Sequence, residues 1–222
     1  AVLPFTPALA QYDAATFVYA VLRERFGMQE LLIGFDHGFG RGRAGDATVV
    51  QALGAERGFR VDVVPPVLGP DGRAISSTSI RRAIAGGDLA RAAGGLGRPY
   101  SLSGIVMEGA RRGRDLGFRT INLSMPPARK LLPPDGVYAV RACTPEGTFG
   151  GMMNLGARPT FDDALRTLEA HLFGVQSDLY GRRVRIDLIQ RLREIRKFEN
   201  ADALVAQLRR DETAARAALA GS

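Results

Sequence analysis

Gly109, Gly113 and Gly117 alternate with Arg111, Arg112 and Arg114 in a loop that leads from the apolar run Ile105-Val106-Met107 into Thr120-Ile121-Asn122. Residues of these types in this order suit polyphosphate chemistry. Glycine lets backbone N–H groups come close to phosphate oxygens, and planar guanidinium groups form charge-assisted, forked hydrogen bonds. On an extended segment Thr120 and Asn122 leave the same face, so their side-chain oxygens can meet a hard cation and its phosphates together. Mg²⁺ keeps few protein ligands and completes its octahedron with phosphate and water, so two small oxygen donors suffice. The spacing by itself equally suits a basic hairpin loop on a β-domain. No Gly-Lys-Ser/Thr follows, so the loop is not of the Walker kind.

If the polyphosphate is a phosphoryl donor to a hydroxyl, that hydroxyl's proton needs an acceptor. In Thr167-Leu-Glu-Ala-His171, strand alternation puts Thr167, Glu169 and His171 on one face and Leu168, Ala170 and Leu172 on the other. Glu169 is the candidate acceptor, although the pattern alone describes an ordinary solvated carboxylate. His171, two residues away on the same face, reads as a side chain that orients its neighbours or simply occupies the strand. One histidine without clustered carboxylates speaks against a zinc site.

The elements that hold these residues fall into two regimes. Up to residue 97, strands and helices alternate. Asp13 is placed to cap a helix carrying Phe17, Val18, Val21, Leu22 and Phe26, with Gly27 as its stop. Leu31-Leu32-Ile33 is expected to be a short buried strand, Asp46 caps a helix that closes near Gly58, and Val61 to Val64 is the next strand. This rhythm implies a parallel sheet with ligands at the carboxyl ends of its strands. Two loops lie where such ligands bind: Gly34 to Asp46, which contains Asp36, and Ile75 to Arg82, where Ser77 is a candidate helix cap whose neighbouring N–H groups face an anion. A short helix spans Asp88 to Leu96, and Gly94 to Pro99 reads as a linker. From Tyr100 onward, strands at regular spacing suggest an antiparallel barrel: 101–107, 137–143, 148–155, 166–173 and 183–190. Asn200 then caps a final helix with Ala203, Leu204, Leu208 and Leu219 on its packed stripe and Arg209, Arg210, Asp211 and Glu212 outside.

Composition narrows the classes. The 222 residues, 45% hydrophobic, have room for one large or two modest domains. No apolar run approaches the roughly 18 residues of a membrane span, no signal-peptide layout opens the chain, and a cytoplasmic location is the default expectation. Cys143 is the sole cysteine and reads as a structural thiol. A net charge of +7 favours anionic partners. Basic runs and rows of aromatic residues are both lacking, which disfavours nucleic acid, although a basic RNA-binding barrel stays as the remote alternative. Oligomeric state is open.

Gly113-Arg-Asp-Leu-Gly-Phe-Arg-Thr-Ile-Asn122 resembles the GR-x-LGFPTAN signature of riboflavin kinases. Asn154 to Phe161, Leu168 to Leu172 and Asp178 to Gly181 resemble that family's later segments, in its order, and Ile75-Ser-Ser-Thr-Ser-Ile-Arg81 resembles the ISSTxIR motif of an FMN adenylyltransferase half. The whole chain is similar to the prokaryotic bifunctional riboflavin kinase/FAD synthetase family. The resemblance implies an α/β plus β fold: a partial Rossmann-like nucleotidyltransferase module over residues 1–97, then an antiparallel β-barrel riboflavin kinase domain over residues 98–222 with a C-terminal helix. It implies an ATP- and Mg²⁺-dependent kinase that converts riboflavin to FMN. Glu169 would activate the ribityl hydroxyl, and Thr120 and Asn122 would serve Mg²⁺ and the phosphates. Gly109, Arg111, Arg112, Gly113 and Arg114 would line the nucleotide loop, with Arg158, Pro159 and Thr160 in a supporting loop. In the other half it implies ATP phosphate contacts from Ser77, Thr78 and Arg81, with Asp36 near the flavin. Arg119 stands where the signature has proline, which restores a backbone N–H and adds a cation near the phosphates. In the family a first strand with an HxGH loop precedes the segment that begins here at Ala1, and neither His37 nor His171 lies in such a pattern. Little or no adenylyltransferase activity is therefore expected of these residues, because that loop stabilises the departing pyrophosphate. A module short of one central strand is also expected to be the less stable half.

Overall fold

The computed structural model describes residues 2–109, 117–157, 166–175 and 177–221. The chain divides into two compact units, Ala1–Ala74 and Ile75–Ser222.

In the first unit, helix α1 (Pro7–Ala10) precedes α2 (Ala14–Thr16), which winds on through π turns over Phe17–Arg23. Asp13 caps α2, accepting from the Thr16 N–H at 2.7 Å, and this hydrogen bond holds the Asp13 carboxyl below its usual range. Strands β1 (Glu30–Gly34) and β2 (Arg60–Val64) pair in parallel across α3 (Ala47–Arg57), and β1 buries only Ile33 while Leu32 on its other face is 67% exposed, so the strand is not the fully buried one its apolar run suggests. Asp46 caps α3 and Gly58 ends it in the left-handed region, as the sequence implies. Ala14, Val18, Val21, Ile33, Val50 and Phe59 are the buried apolar residues among those described in this unit.

The second unit opens with α4 (Ser77–Gly86) and α5 (Leu89–Leu96). Two sequence expectations change here. Ser76, not Ser77, caps α4: its backbone is extended, its Oγ accepts from the Ser79 N–H at 3.1 Å, and Ser79 Oγ accepts from the Ser76 N–H, so Ser77 is the first helical residue. Gly94 and Gly95 lie inside α5 rather than in a linker. A Cβ on Gly95 would sit 2.8 Å from Ile80 Cγ1, so the missing side chain lets α5 close on α4. The pair packs on the barrel through Ala83, Ile84 and Ala92 against Tyr100 and Leu131.

Strands β3 (Tyr100–Met107), β4 (Ile121–Leu123), β5 (Gly136–Thr144), β6 (Gly147–Ala157), β7 (Arg166–Leu172) and β8 (Arg183–Arg193) close into an antiparallel barrel in the order β3-β4-β7-β6-β5-β8. Period-two alternation fills the interior with Leu102, Val106, Leu123, Tyr138, Val140, Met153, Leu155, Leu168, Leu172, Val184, Ile186 and Leu188, all buried. Each fully buried Leu, Ile or Val there contributes about 1.5–3 kcal/mol of apolar burial.

Helix α6 (Ala201–Ala220), capped by Asn200, covers part of the barrel's outer surface, packing on β5, β6 and β8. Ala139, Met152 and Ala215 form its contact with Phe118, Phe173, Ile189, Leu192, Val205 and Leu208 around them. The stripe expected from sequence is displaced: Ala203 is exposed, whereas Asp211 is only 3% exposed. Its carboxylate receives the Arg193 guanidinium at 2.7–3.0 Å and the Gln207 amide at 2.7 Å, which is why a charged residue can face inward.

Candidate active site

Strand register decides which side chains meet. In β7, Leu168, Ala170 and Leu172 point into the barrel, so Thr167, Glu169 and His171 stand on its outer surface, half-buried, as alternation requires. Glu169 is paired with Asn122 on β4 and with Asn154 on β6. Paired residues share a face with Cβ atoms about 4.5–5.5 Å apart, so one row reads Asn122, Glu169, Asn154 across three strands. Thr120, half-buried, precedes β4 by one residue, and its alternation with Asn122 directs it to the same surface. The two residues chosen for cation and phosphate chemistry thus lie beside the carboxylate chosen as proton acceptor.

The chain on the other flank of Asn122 is tight. A Cβ on Gly109, two residues past the end of β3, would lie 1.9 Å from Asn122 Nδ2, so a larger residue there would have to push the Asn122 side chain aside. The next row of the surface belongs to His171. Its Nδ1 lies 2.7 Å from the Arg119 carbonyl oxygen, and Phe118 and Phe173 meet its ring edge-on at 5.3 and 5.7 Å. Phe118 is itself buried against α6.

The remaining sequence candidates are placed as follows. Arg111, Arg112, Gly113, Arg114, Arg158, Pro159 and Thr160 lie outside the described residues. Ser77, Thr78 and Arg81 are exposed on the first turns of α4. Asp36 belongs to the first unit, exposed in the turn after β1, where its carbonyl accepts from Arg43 Nη2 at 3.2 Å. Asn154 was legible as part of a motif but not as a neighbour of Glu169. Its alternation with the buried Met153 and Leu155 signalled an outward side chain, and only the β6–β7 register supplies its partner.

A family model described as riboflavin kinase matches residues 96–219, and one described as FAD synthetase matches residues 1–79. The bifunctional riboflavin kinase/FMN adenylyltransferase of Escherichia coli K12 is 38% identical over 213 residues, 96% of this chain and 67% of that protein. The chain belongs to the bifunctional riboflavin kinase/FMN adenylyltransferase family. The Pseudomonas fluorescens member is 37% identical over 221 residues, 99% of this chain and 70% of its own. Among solved structures, one named a macrolide-efflux protein, from Streptococcus pneumoniae, matches with a TM-score of 0.84 and 33% identity over 96% of this chain and 68% of that one. No helix of the described residues is long and apolar enough to cross a membrane. Family membership displaces the remote reading as a nucleic-acid-binding barrel.

Proposed function

We propose that this riboflavin kinase moves the γ-phosphoryl group of ATP to the ribityl 5′-hydroxyl of riboflavin with Glu169 as general base and Thr120 and Asn122 at the phosphates. The observation that carries the assignment is the register that pairs Asn122 with Glu169. As the ribityl oxygen bonds to phosphorus, Glu169 takes its proton, and the bridging oxygen leaves with ADP. Gly109 keeps the loop backbone close to Asn122, and Arg111, Arg112, Gly113 and Arg114 would bring donors over the phosphates, with Arg158, Pro159 and Thr160 as a supporting loop.

Mg²⁺ fits the residues present. The Thr120 hydroxyl and the Asn122 amide oxygen are hard donors that alternation brings to one surface of the barrel. Thr120 and Asn122 would hold the ion together with the phosphates, and the ion would neutralise charge on them. Incubation with riboflavin, ATP and Mg²⁺ tests the reading. FMN and ADP are expected in equal amounts, EDTA is expected to stop their formation, and a folded protein that makes no FMN would sink it.

Gly109→Ala is expected to keep the barrel and to lower kcat/KM by about 10- to 100-fold, because the new methyl group must push Asn122 aside and small misplacements are costly in a phosphoryl-transfer site. Steady-state kinetics with a melting curve checks this. An unchanged kcat/KM would remove Asn122 from the nucleotide.

The FAD synthetase match over residues 1–79 favours a second reading, adenylyl transfer to FMN. We place the functional boundary between the halves at residues 97 and 98. With FMN, ATP and Mg²⁺ supplied, FAD detected by chromatography would support this reading, and its absence beside FMN formation from riboflavin would leave the kinase reading alone.

A further inference from the structure

We propose that His171 is a positioning residue of the kinase site, fixing the Arg119–Thr120 peptide so that the Thr120 backbone N–H becomes a phosphate donor. The inference rests on the kinase reading and adds to it a group that the side-chain chemistry does not reveal. A carbonyl oxygen only accepts, so the 2.7 Å contact between His171 Nδ1 and the Arg119 oxygen requires the Nδ1–H tautomer. The peptide unit is planar and trans, so holding the Arg119 oxygen toward β7 turns the Thr120 N–H the opposite way.

The neighbouring ladders agree with this direction. In an extended chain the N–H and C=O of one residue point to one side, and those of the next residue to the other. Ser124 donates toward β3, to the Ile105 carbonyl at 2.9 Å, so Asn122 and Thr120 also face β3 while Arg119 faces β7. The β3–β4 ladder, however, ends at the pair Met107 and Asn122. Continued by two residues, its register would set Thr120 opposite Gly109. The Thr120 N–H therefore looks across a ladder that has stopped, toward the side of Gly109, and among the described residues no backbone carbonyl takes it.

His171 is held firmly enough to impose this. Phe118 and Phe173 brace its ring, Arg216 stacks on Phe173 at 4.1 Å, and Glu212 holds Arg216 at 2.7 Å. Helix α6 thus reaches the phosphate segment through a chain of contacts ending at one carbonyl.

The test compares His171→Leu with His171→Asn, whose amide N–H can stand near the place of Nδ1–H. His171→Leu is expected to weaken ADP·Mg²⁺ binding and raise the KM for ATP by about three- to tenfold, the range for one hydrogen bond. The KM for riboflavin is expected to stay within about twofold, and His171→Asn to recover most of the loss, on the same scale. A histidine with only a packing role would lower the melting temperature without separating the two KM values and without rescue by asparagine. Titration of ADP with Mg²⁺ by calorimetry keeps this inference apart from the kinase reading. If the wild type binds ADP but makes no FMN, the kinase reading fails while the comparison of ADP affinities still decides the role of His171. Equal ADP affinity in the wild type and His171→Leu, or no ADP binding by the wild type, overturns the inference.

Discussion

Glu169→Gln is expected to lower kcat by a factor on the order of 10²–10⁴ while the protein still binds ADP and riboflavin. The amide has nearly the shape of the carboxylate and can keep hydrogen bonds from Asn122 or Asn154, the residues that flank it in the ladder. It cannot take a proton from the ribityl hydroxyl. The loss should therefore fall on kcat and leave KM for both substrates within a few-fold, the signature of a contact made only in the transition state. Because position 169 faces outward on a strand whose inward neighbours Leu168 and Ala170 form the core, the melting temperature should hardly move. Steady-state kinetics with calorimetric ADP binding separates the alternatives. Full turnover in this variant would take Glu169 out of the mechanism and leave the Asn122 row a nucleotide platform without a base.

The second large effect is on stability. Asp211 sits 3% exposed between α6 and the end of β8, and receives two guanidinium N–H groups of Arg193 and one amide N–H of Gln207. Arg196 in turn donates to the Gln207 side-chain oxygen. Asp211→Ala removes the carboxylate and leaves the Arg193 charge, whose side chain is 19% exposed, without its partner. Stranding a buried charge in this way costs about 3–5 kcal/mol. The midpoint of urea unfolding should fall with little change in slope if the transition stays two-state. Replacing both Arg193 and Asp211 by leucine is expected to cost less than Asp211→Ala alone, since no unpaired charge then remains. A loss below about 1 kcal/mol in the single variant would mean that water screens the pair as it does at an open surface.

Much of the barrel could be read before any coordinates. The strands near Ser101, Val137, Thr148, Arg166 and Arg183 all occur, because alternating apolar residues bounded by turn formers have few other ways to bury one face. Caps at Asp13, Asp46 and Asn200 were legible because a cap is a local hydrogen bond. The misses have a common origin in contacts between distant residues. Ser76 and Ser77 are chemically the same, and only the turn of the backbone decides which one caps α4. Gly94 and Gly95 read as a linker because glycine is flexible in isolation, whereas the nearness of Ile80 makes Gly95 a packing residue. Asp211 read as solvated because its partner, Arg193, lies on a different element.

The candidate site divides along the same line. Residue type and local alternation, both properties of adjacent residues, offered Thr120, Asn122 and Glu169 as candidates beside a plain structural reading and put Glu169 and His171 on one face, and the resemblance to riboflavin kinases gave the candidates their roles. That Asn122 and Asn154 flank Glu169, that the Gly109 backbone lies against Asn122 and that His171 grips the Arg119 carbonyl depend on which strands pair and in what register. Register is set by closing the barrel around Leu102, Met153, Leu155 and Leu168 together, so it belongs to the folded whole and to no single stretch of the chain.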